Sequence, residues 1–371
     1  FDRTPDSDPI PAPPFVIASN HRTFFDPWMV GYYSPHPLNF MTNDDGFRAS
    51  PVVRWYLTSI GAFPKKKGGS DYKAMKETLR RLTAGSPVCI FPEGQTSWDG
   101  VTQLIYKGIE KIIKRARCPL VMVKVTGSFL TKPWWARSKR KGRVALKYKT
   151  LPAEEIAKLS ADQVFDTVKE YIRHSDIKDP SNLAVPFRGQ DLAEGLERFV
   201  WQCMHCKAED TLEPEGDVIA CTACGKSWTL DAHCRLTPDQ QDTTTLADLN
   251  DWSAWLKNNV RNTIAACPSQ GSLTHSEQAT LQTLADDGLS FVDRSTGSLE
   301  LSPEVLTYTP HNGEKIPFHV PDLQEVVFQK KETFEFPYHD GLYRFRLPRH
   351  SPMKWVVYLR YLTGYEEAEK R

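Results

Sequence analysis

The chain has 371 residues, of which 40% are hydrophobic, 25% charged and 11% aromatic. This length corresponds to two or three domains of about 100–200 residues each, and the composition excludes a disordered or fibrous protein. No apolar run approaches the ~20 residues of a membrane-spanning helix, and no signal peptide is visible. The sequence begins with Phe1 rather than Met, so the prediction includes an anchoring segment upstream of Phe1 as an alternative.

The net charge of +1 conceals an asymmetry between the two halves of the chain. Residues 1–180 carry 29 Lys and Arg against 18 Asp and Glu, a net +11, whereas residues 181–371 carry a net −10. A basic half joined to an acidic half indicates that the first half meets an anionic surface or substrate.

Residues 1–182 alternate between strand-like and helix-like segments. Strands are predicted at Phe15–Ala18, Val88–Phe91, Leu120–Val125 and Val144–Tyr148, and helices at Asp71–Thr83, Thr102–Arg115 and Ala161–His174. Strands that alternate with helices favour an α/β domain with a mostly parallel sheet flanked by helices.

The remaining chain is predicted to contain two small modules and a linker. Residues 195–236 hold cysteine pairs among short strand-like runs, and residues 237–271 form a linker with a helix at Leu246–Ala265. Residues 272–371 are β-rich, with strands predicted at Leu299–Thr307, Ile316–Val320, Glu325–Gln329, Thr333–Tyr338 and Leu342–Leu347 and hairpin turns at Asn312-Gly313 and Asp340-Gly341. A closing helix begins at Ser351-Pro352, and strands followed by one such helix resemble a PH-like domain.

A histidine and an aspartate lie five residues apart directly after the first long apolar run. A histidine that acts as a base needs a carboxylate to fix its tautomer and to stabilise the imidazolium ion. Asp26 precedes Pro27, so it suits a helix N-cap that would hold it rigidly near His21. Taken alone, this spacing is weak, and the alternative is a capping Asp beside an unrelated polar His.

Three motifs in a fixed order strengthen the case. Residues 20–26 read Asn-His-Arg-Thr-Phe-Phe-Asp, residues 60–67 read Ile-Gly-Ala-Phe-Pro-Lys-Lys-Lys, and residues 91–97 read Phe-Pro-Glu-Gly-Gln-Thr-Ser. Together they resemble the glycerolipid acyltransferase family, whose best-known members are the 1-acylglycerol-3-phosphate acyltransferases. The resemblance covers roughly residues 10–180.

The resemblance implies transfer of a fatty-acyl group from a thioester, acyl-CoA or acyl-carrier protein, to a lysolipid hydroxyl. It assigns the general base to His21 and its orienting partner to Asp26, because an alcohol needs a base as it attacks. It places Lys67, Glu93 and Gly94 at the acceptor. Asn20 and Thr96, in the first and third motifs, complete the set of expected substrate-binding residues.

Two positions depart from the family pattern. Gln95-Thr96 replace the usual Thr-Arg of the third motif, and Met122 stands where a strand often has Pro. Thr cannot form the charged fork that Arg makes with a phosphate. The acceptor phosphate is therefore expected to use Lys67, Lys124 or the basic tract downstream, or the acceptor is a different lysolipid or alcohol.

Four of the eight cysteines form a metal-ligand pattern. Cys203 and Cys206 form one Cys-x-x-Cys pair, and Cys221 and Cys224 form the second pair after 14 residues. Four thiolates close a tetrahedral sphere, so this pattern resembles a zinc ribbon with a structural Zn²⁺. Scattered remaining cysteines do not form a disulfide framework, which favours a reducing compartment. A redox-active dithiol is the alternative.

The segment 131–141 combines basic residues with Trp134 and Trp135. Lys and Arg are attracted to anionic membranes and Trp rings favour the headgroup region, so the segment predicts contact with a membrane surface. Nucleic acid is the disfavoured alternative, and a solvated loop beside core tryptophans is the third reading.

These observations predict a lysolipid acyltransferase at the cytoplasmic face of a membrane, peripheral or anchored by an upstream segment. The competing hypothesis is a catalytically silent, membrane-associated scaffold that uses the zinc ribbon and the PH-like domain to bind protein or lipid. Intact His21, Asp26, Glu93 and Gly94 favour the enzyme.

Overall fold

The structure is a computed structural model that describes residues 1–43, 46–47, 50–65, 72–239, 245–269, 271–288, 290–323, 325–329, 331–348 and 351–365. The chain divides into two compact units. Unit 1 comprises Phe1–Trp134 and Lys139–Arg188, and unit 2 comprises Trp135–Ser138 and Gly189–Arg371.

One mixed sheet forms the centre of unit 1. Its strands are β1 (Asp2–Arg3), β2 (Val16–Ser19), β3 (Asn39–Asn43), β4 (Phe63–Lys65), β5 (Val88–Ile90), β6 (Leu120–Thr126) and β7 (Ala145–Leu151), in the order β1-β7-β6-β2-β5-β3-β4. Strands β2 to β6 are mutually parallel, as predicted, but β7 is antiparallel to β6 and β1 is parallel to β7. The expected largely parallel sheet is therefore a mixed one at its β7 edge.

Helices cover the sheet. They are α1 (Asp26–Tyr32), α2 (Pro51–Ser59), α3 (Tyr72–Thr83), α4 (Ile109–Ala116), α5 (Ser128–Thr131), α6 (Ala153–Lys158), α7 (Ala161–Ile172) and α8 (Pro180–Leu183). Val16 and Ala18 of β2 pack into one core with α4 and α7, whereas Ile17 packs into a second core with α1. Successive residues of a strand point to opposite faces, so a strand covered on both faces is apolar throughout.

One predicted helix begins later than its apolar spacing indicates. The expected helix Thr102–Arg115 is observed only from Ile109. Before it, the backbone N–H groups of Thr102 and Tyr106 donate to the carbonyl oxygens of His174 and Pro92, at 2.9 and 3.0 Å. In a continuous helix the N–H of Tyr106 would donate to the Thr102 carbonyl, so its bond to Pro92 replaces a helical bond and the segment stays irregular.

Unit 2 contains a small sheet and a larger one. Strands β8 (Leu212–Glu215), β9 (Val218–Cys221), β10 (Ser227–Leu230) and β11 (Leu236–Pro238) form the small antiparallel sheet, followed by α9 (Leu249–Ala266). The larger antiparallel sheet consists of β12 (Thr274–Leu284), β13 (Phe291–Leu301), β14 (Val305–Pro310), β15 (Ile316–His319), β16 (Val327–Gln329), β17 (Thr333–Tyr338) and β18 (Gly341–Arg346), before α10 (Pro352–Leu362).

The predicted β-rich region with a closing helix is confirmed, with one correction. The expected single strand Leu299–Thr307 is the end of β13 and the start of β14, which pair with each other through a tight turn. Strand β12 was not anticipated, because its sequence is mostly polar.

Among the described residues, no helix has both the length and the apolar composition needed to cross a membrane.

Candidate active site

Three loops meet at one edge of the sheet in unit 1. Strands β6, β2 and β5 are parallel neighbours, so their carboxyl ends lie side by side. His21 lies in the loop after β2, and Asp26 is the first residue of α1 rather than its predicted N-cap, a position that Phe25 takes. The loop after β5 carries Glu93, and Ser128 follows β6. Carboxyl ends of parallel strands are a common place for functional side chains, because loops from distant parts of the sequence converge there.

His21 and Asp26 form a direct pair. The Nδ1 atom of His21 lies 3.0 Å from Oδ2 of Asp26. The imidazole stacks on the ring of Phe91, with 4.4 Å between ring centroids, and its side chain is 17% exposed whereas Asp26 is fully buried. The pair thus has one rigid, buried member and one member that reaches the surface of the site.

Asp26 accepts several hydrogen bonds besides the one from His21. Oδ2 accepts from the backbone N–H groups of Arg22 and Thr23, and Oδ1 accepts from the hydroxyls of Thr23 and Ser128, at 3.0 and 2.6 Å. Burial raises the pKa of Asp26, but the bonds from His21, Ser128 and the backbone outweigh it, so its pKa lies below the ordinary value. An ionised carboxylate only accepts, so the proton between the pair belongs to Nδ1 and Nε2 is left as the basic nitrogen.

Glu93 is buried behind the histidine loop. Its Oε1 accepts from the backbone N–H of His21 at 2.7 Å, and its Oε2 accepts from the backbone N–H of Gln103 at 2.6 Å. The Arg22 guanidinium lies 3.4 Å from Oε2. Burial raises the pKa of Glu93, opposed by Arg22 and by the two N–H groups. Both carboxylate oxygens therefore hold the protein's own backbone in place.

A second histidine–aspartate pair supports α5. The Oδ1 and Oδ2 atoms of the buried Asp176 accept from the backbone N–H groups of Gly127 and Phe129, at 3.0 and 2.8 Å. His174 Nε2 lies 2.9 Å from Asp176 Oδ1. This arrangement fixes the position of Ser128, which lies between the two anchored residues and donates to Asp26.

A cavity of about 280 Å³ opens beside His21. Its apolar lining includes Phe40, Met41, Met75, Ile90, Ile109 and Ile112, and its polar lining includes Thr42, Asn43, Lys65 and Lys107. The ammonium group of Lys65 lies 5.1 Å from the ring centroid of Tyr106. The cavity therefore combines an apolar wall with two cations and the exposed side of the imidazole.

The other predicted site residues have different positions. Gly94 lines the cavity, whereas Asn20 is buried and bridges β6, donating to the Val125 carbonyl and accepting from its N–H group. Thr96 is half-buried and is not among the cavity-lining residues. Lys67 lies outside the described residues, and Lys124 contacts the ring of Tyr171 rather than the cavity.

Sequence reasoning missed Ser128 and Gln103. Neither residue belongs to a recognisable motif, because Ser128 contributes a single hydroxyl and Gln103 contributes only its backbone N–H. A signal for Ser128 was nevertheless present, because it directly follows a strand that was predicted to be parallel to β2. Polar residues after neighbouring parallel strands are expected to meet.

The basic segment 131–141 is not the exposed surface that its composition indicated. Trp135 is 2% exposed, and Ala136 and Arg140 are also buried. Arg137, Lys139 and Lys141 remain exposed. The Trp135 ring and the Arg140 guanidinium are therefore not available to a bilayer, and contact through the exposed basic side chains of the segment stays a prediction.

The two cysteine pairs come together in unit 2. The Sγ atoms of Cys203, Cys206, Cys221 and Cys224 all lie within 4.8 Å of one another. Cys203 and Cys224 are 3.9 Å apart and Cys206 and Cys221 are 3.7 Å apart. Four thiolates at about 2.3 Å from a tetrahedral zinc ion would be separated by about 3.8 Å. The cluster has the geometry to hold a metal ion.

Comparisons with known proteins agree with the motifs. A family model described as Acyltransferase matches residues 4–126, the segment that holds all three motifs. The resemblance of residues 4–126 to the acyltransferase family, which the motifs indicated, is confirmed at that level.

Two solved structures are similar to parts of the chain. One is the 1-acyl-sn-glycerophosphate (LPA) acyltransferase PlsC from Thermotoga maritima, with 22% identity and a TM-score of 0.36 over 43% of this chain and 62% of that chain. The chain thus spans less than two thirds of that protein. The other is the N-terminal PH domain of human ARAP2, with 16% identity and a TM-score of 0.20 over 25% of this chain and 80% of that chain. Both scores are too low to support a conclusion.

Proposed function

We propose that this protein is an O-acyltransferase that moves a fatty-acyl group from a thioester, acyl-CoA or acyl-carrier protein, to the hydroxyl of a lysolipid. The observation that carries the proposal is the His21–Asp26 pair at 3.0 Å, with its imidazole on the wall of a mainly apolar cavity. The acyltransferase family match over residues 4–126 supports the same reaction class.

In this proposal, Nε2 of His21 removes the proton from the lysolipid hydroxyl as its oxygen attacks the thioester carbonyl carbon. The carbon–sulfur bond then breaks, the thiolate leaves, and the proton held by His21 neutralises it. Asp26 stabilises the imidazolium ion and keeps Nδ1 protonated. Glu93 acts as a positioning residue, because its oxygens accept from the N–H groups of His21 and Gln103.

The cavity supports a substrate with an apolar chain and an anionic group. Methionine and isoleucine side chains suit a fatty chain, since apolar surfaces gain free energy by leaving water. Lys65 and Lys107 supply the positive charge for a phosphate. These cations replace the phosphate contact that the family's Arg would make at Thr96, so the acceptor in this proposal is 1-acylglycerol-3-phosphate or a related lysophospholipid.

We further propose that the cysteine cluster binds one structural Zn²⁺. Four thiolates fill a tetrahedral sphere and leave no position for substrate, so the ion would stabilise the small sheet of unit 2 rather than react. The proposal also includes a PH-like domain and a location at the cytoplasmic face of a membrane. It keeps the domain limits 1–182, 195–236, 237–271 and 272–371.

The test is thioester release with candidate lysolipids, comparing the unaltered chain with His21→Ala. We expect the rate to fall at least ~100-fold, the lower end of general-base contributions. His36→Ala is the matched control, because His36 belongs to the same unit but is not a cavity-lining residue, and it should keep the full rate. A folded protein without activity on any lysolipid would instead favour the scaffold hypothesis.

A further inference from the structure

Large apolar side chains are exposed on two neighbouring helices of unit 1. Phe24 is 71% exposed just before α1, and Trp55 is 70% exposed on α2. Phe25, Trp28, Tyr32, Val52 and Tyr56 are exposed as well. Helix α2 has no buried residue, although most of its side chains are apolar. We call the residues named here the aromatic face.

The aromatic face is continuous. The rings of Phe24 and Phe25 lie 5.0 and 6.0 Å from the ring of Trp28, measured between centroids. Trp28 Nε1 donates to the hydroxyl of Tyr56 at 3.2 Å, which joins α1 to α2. Contiguous exposed apolar surfaces of this kind mark sites of association rather than scattered surface residues.

Within the two segments that carry the aromatic face, the exposed charge is basic, although the exposed Asp2 follows Phe1, whose ring packs against Tyr32. Among the described residues of 22–36 and 50–65, the acidic side chain is that of Asp26, which is buried. Arg54 is exposed on α2, Lys65 lies at the cavity, and the Lys139 ammonium lies 5.7 Å from the ring centroid of Phe25. Cations beside Trp, Tyr and Phe complement an anionic lipid surface, where aromatic rings settle at headgroup depth.

The aromatic face also lies next to the cavity. Pro27, which lies between Phe25 and Trp28 in the sequence, lines the cavity together with His21. A volume of about 280 Å³ is at the lower limit of small-molecule pockets, which hold roughly 300–1,000 Å³. A product with two acyl chains is larger than this volume, so in this arrangement part of the lipid lies outside the cavity.

We infer that the aromatic face inserts into an anionic lipid monolayer and places the mouth of the cavity at the membrane surface. The choice of a lipid surface over a protein partner rests on the proposed lipid acyltransferase function. The occupant is the lipid layer of the bilayer that faces the protein, into which Trp28 and Trp55 insert while Arg54 and Lys139 meet the headgroups. The lysolipid then reaches His21 from the bilayer without crossing water.

The test is sedimentation of the full 371-residue chain with vesicles of phosphatidylcholine alone or mixed with phosphatidylglycerol. The unaltered chain should bind the mixed vesicles more strongly. The double variant Val52→Asp, Trp55→Asp should bind them at least about tenfold more weakly, because two apolar anchors become anions. Trp55→Ala, a milder change on a helix without buried residues, should give a smaller loss in the same direction.

Leu183→Asp is the matched control. Leu183 is 44% exposed on α8, outside the aromatic face. Its replacement adds one negative charge, against two in the double variant, and should leave vesicle binding unchanged. Binding needs no turnover, so His21→Ala should bind like the unaltered chain. A binding protein without activity would contradict the proposed function alone.

Three results would overturn the inference. They are no vesicle binding by the unaltered chain, equal binding by the double variant, and an equally large loss in Leu183→Asp. Sedimentation equilibrium provides a fourth outcome: a dimer that the double variant dissociates, without vesicle binding, would assign the aromatic face to self-association instead.

Discussion

The substitution Asp26→Asn separates the charge of this residue from its hydrogen bonds. An amide oxygen in place of Oδ2 still accepts from His21 Nδ1 and from the N–H groups of Arg22 and Thr23. The amide NH₂ then takes the place of Oδ1 and faces the hydroxyls of Thr23 and Ser128. A hydroxyl both donates and accepts, so these two groups can turn to receive the NH₂. We therefore expect a folded protein.

The activity should fall about 100-fold. An imidazolium and a carboxylate 3.0 Å apart attract each other by about 5 kcal/mol at an effective dielectric constant of about 20. If the proton is about half transferred in the transition state, roughly half of this attraction, about 2–3 kcal/mol, is lost in Asp26→Asn. Each 1.4 kcal/mol or so changes a rate tenfold, which gives the factor of about 100.

The assay is thioester release under saturating lysolipid, with a urea unfolding curve for each protein. Asp166→Asn, at an exposed position on α7, is the control and should leave both measurements unchanged. A rate within threefold of the unaltered chain would refute the role assigned to Asp26, because the transition state would then carry no imidazolium for it to stabilise.

The same variant has an expected effect on stability. The pKa of Asp26 is lower in the folded protein than its ordinary value of 3.8. Its ionised form therefore stabilises the fold above pH 3.8, and this contribution is lost as the pH falls through the lowered folded pKa. Asp26→Asn should lack this part of the decrease in the free energy of unfolding at acid pH. Urea midpoints of both proteins, measured from neutral to acid pH, would detect the difference.

Three further predictions concern the supporting residues. Because the pKa of buried Glu93 is raised above 4.5, the free energy of unfolding should decline as the pH rises past that value. Glu93→Gln should lack this decline, and identical urea midpoints of the two proteins across the pH range would contradict the prediction. Gly94 has φ +66°, and a Cβ there would lie 3.1 Å from an aromatic ring, whereas at Gly85, with φ +83°, it would meet nothing. Both Ala substitutions should lower the free energy of unfolding by about 1–2 kcal/mol through backbone strain. Gly94→Ala should lower it further because of the ring contact, and equal melting temperatures of the two variants would exclude that contact. Elemental analysis should find one zinc ion per chain and much less in Cys221→Ser, unless the cluster is a dithiol.

The parts of the fold that the sequence predicted are those in which local pattern and burial coincide. Strands β2, β5 and β6 are continuous apolar runs because both faces of the sheet are covered, and each was predicted to within one or two residues. The His21–Asp26 pair could also be predicted from the sequence, because only five positions separate the two residues. Strand β12 was missed because its sequence is mostly polar.

The start of α4 depended on interactions between distant segments. The spacing of apolar residues from Leu104 onward fits a helix, but the N–H of Tyr106 donates to the Pro92 carbonyl rather than to the Thr102 carbonyl. The N–H of Gln103, which a helix beginning at Thr102 would leave without an intrahelical acceptor, donates to the buried Glu93 carboxylate. No periodicity can report these bonds, since both acceptors lie in the loop after β5.

Exposure is the second property that composition does not determine. The segment 131–141 and helix α2 are both rich in residues that bind membranes or fill cores, yet Trp135 is buried and Trp55 is exposed. An apolar helix left in water loses the free energy of burial, about 25 cal/mol for each Å² of apolar surface that a partner could cover. The chain buries one tryptophan-bearing segment and leaves the other exposed on α2, so a partner gains most free energy by covering α2.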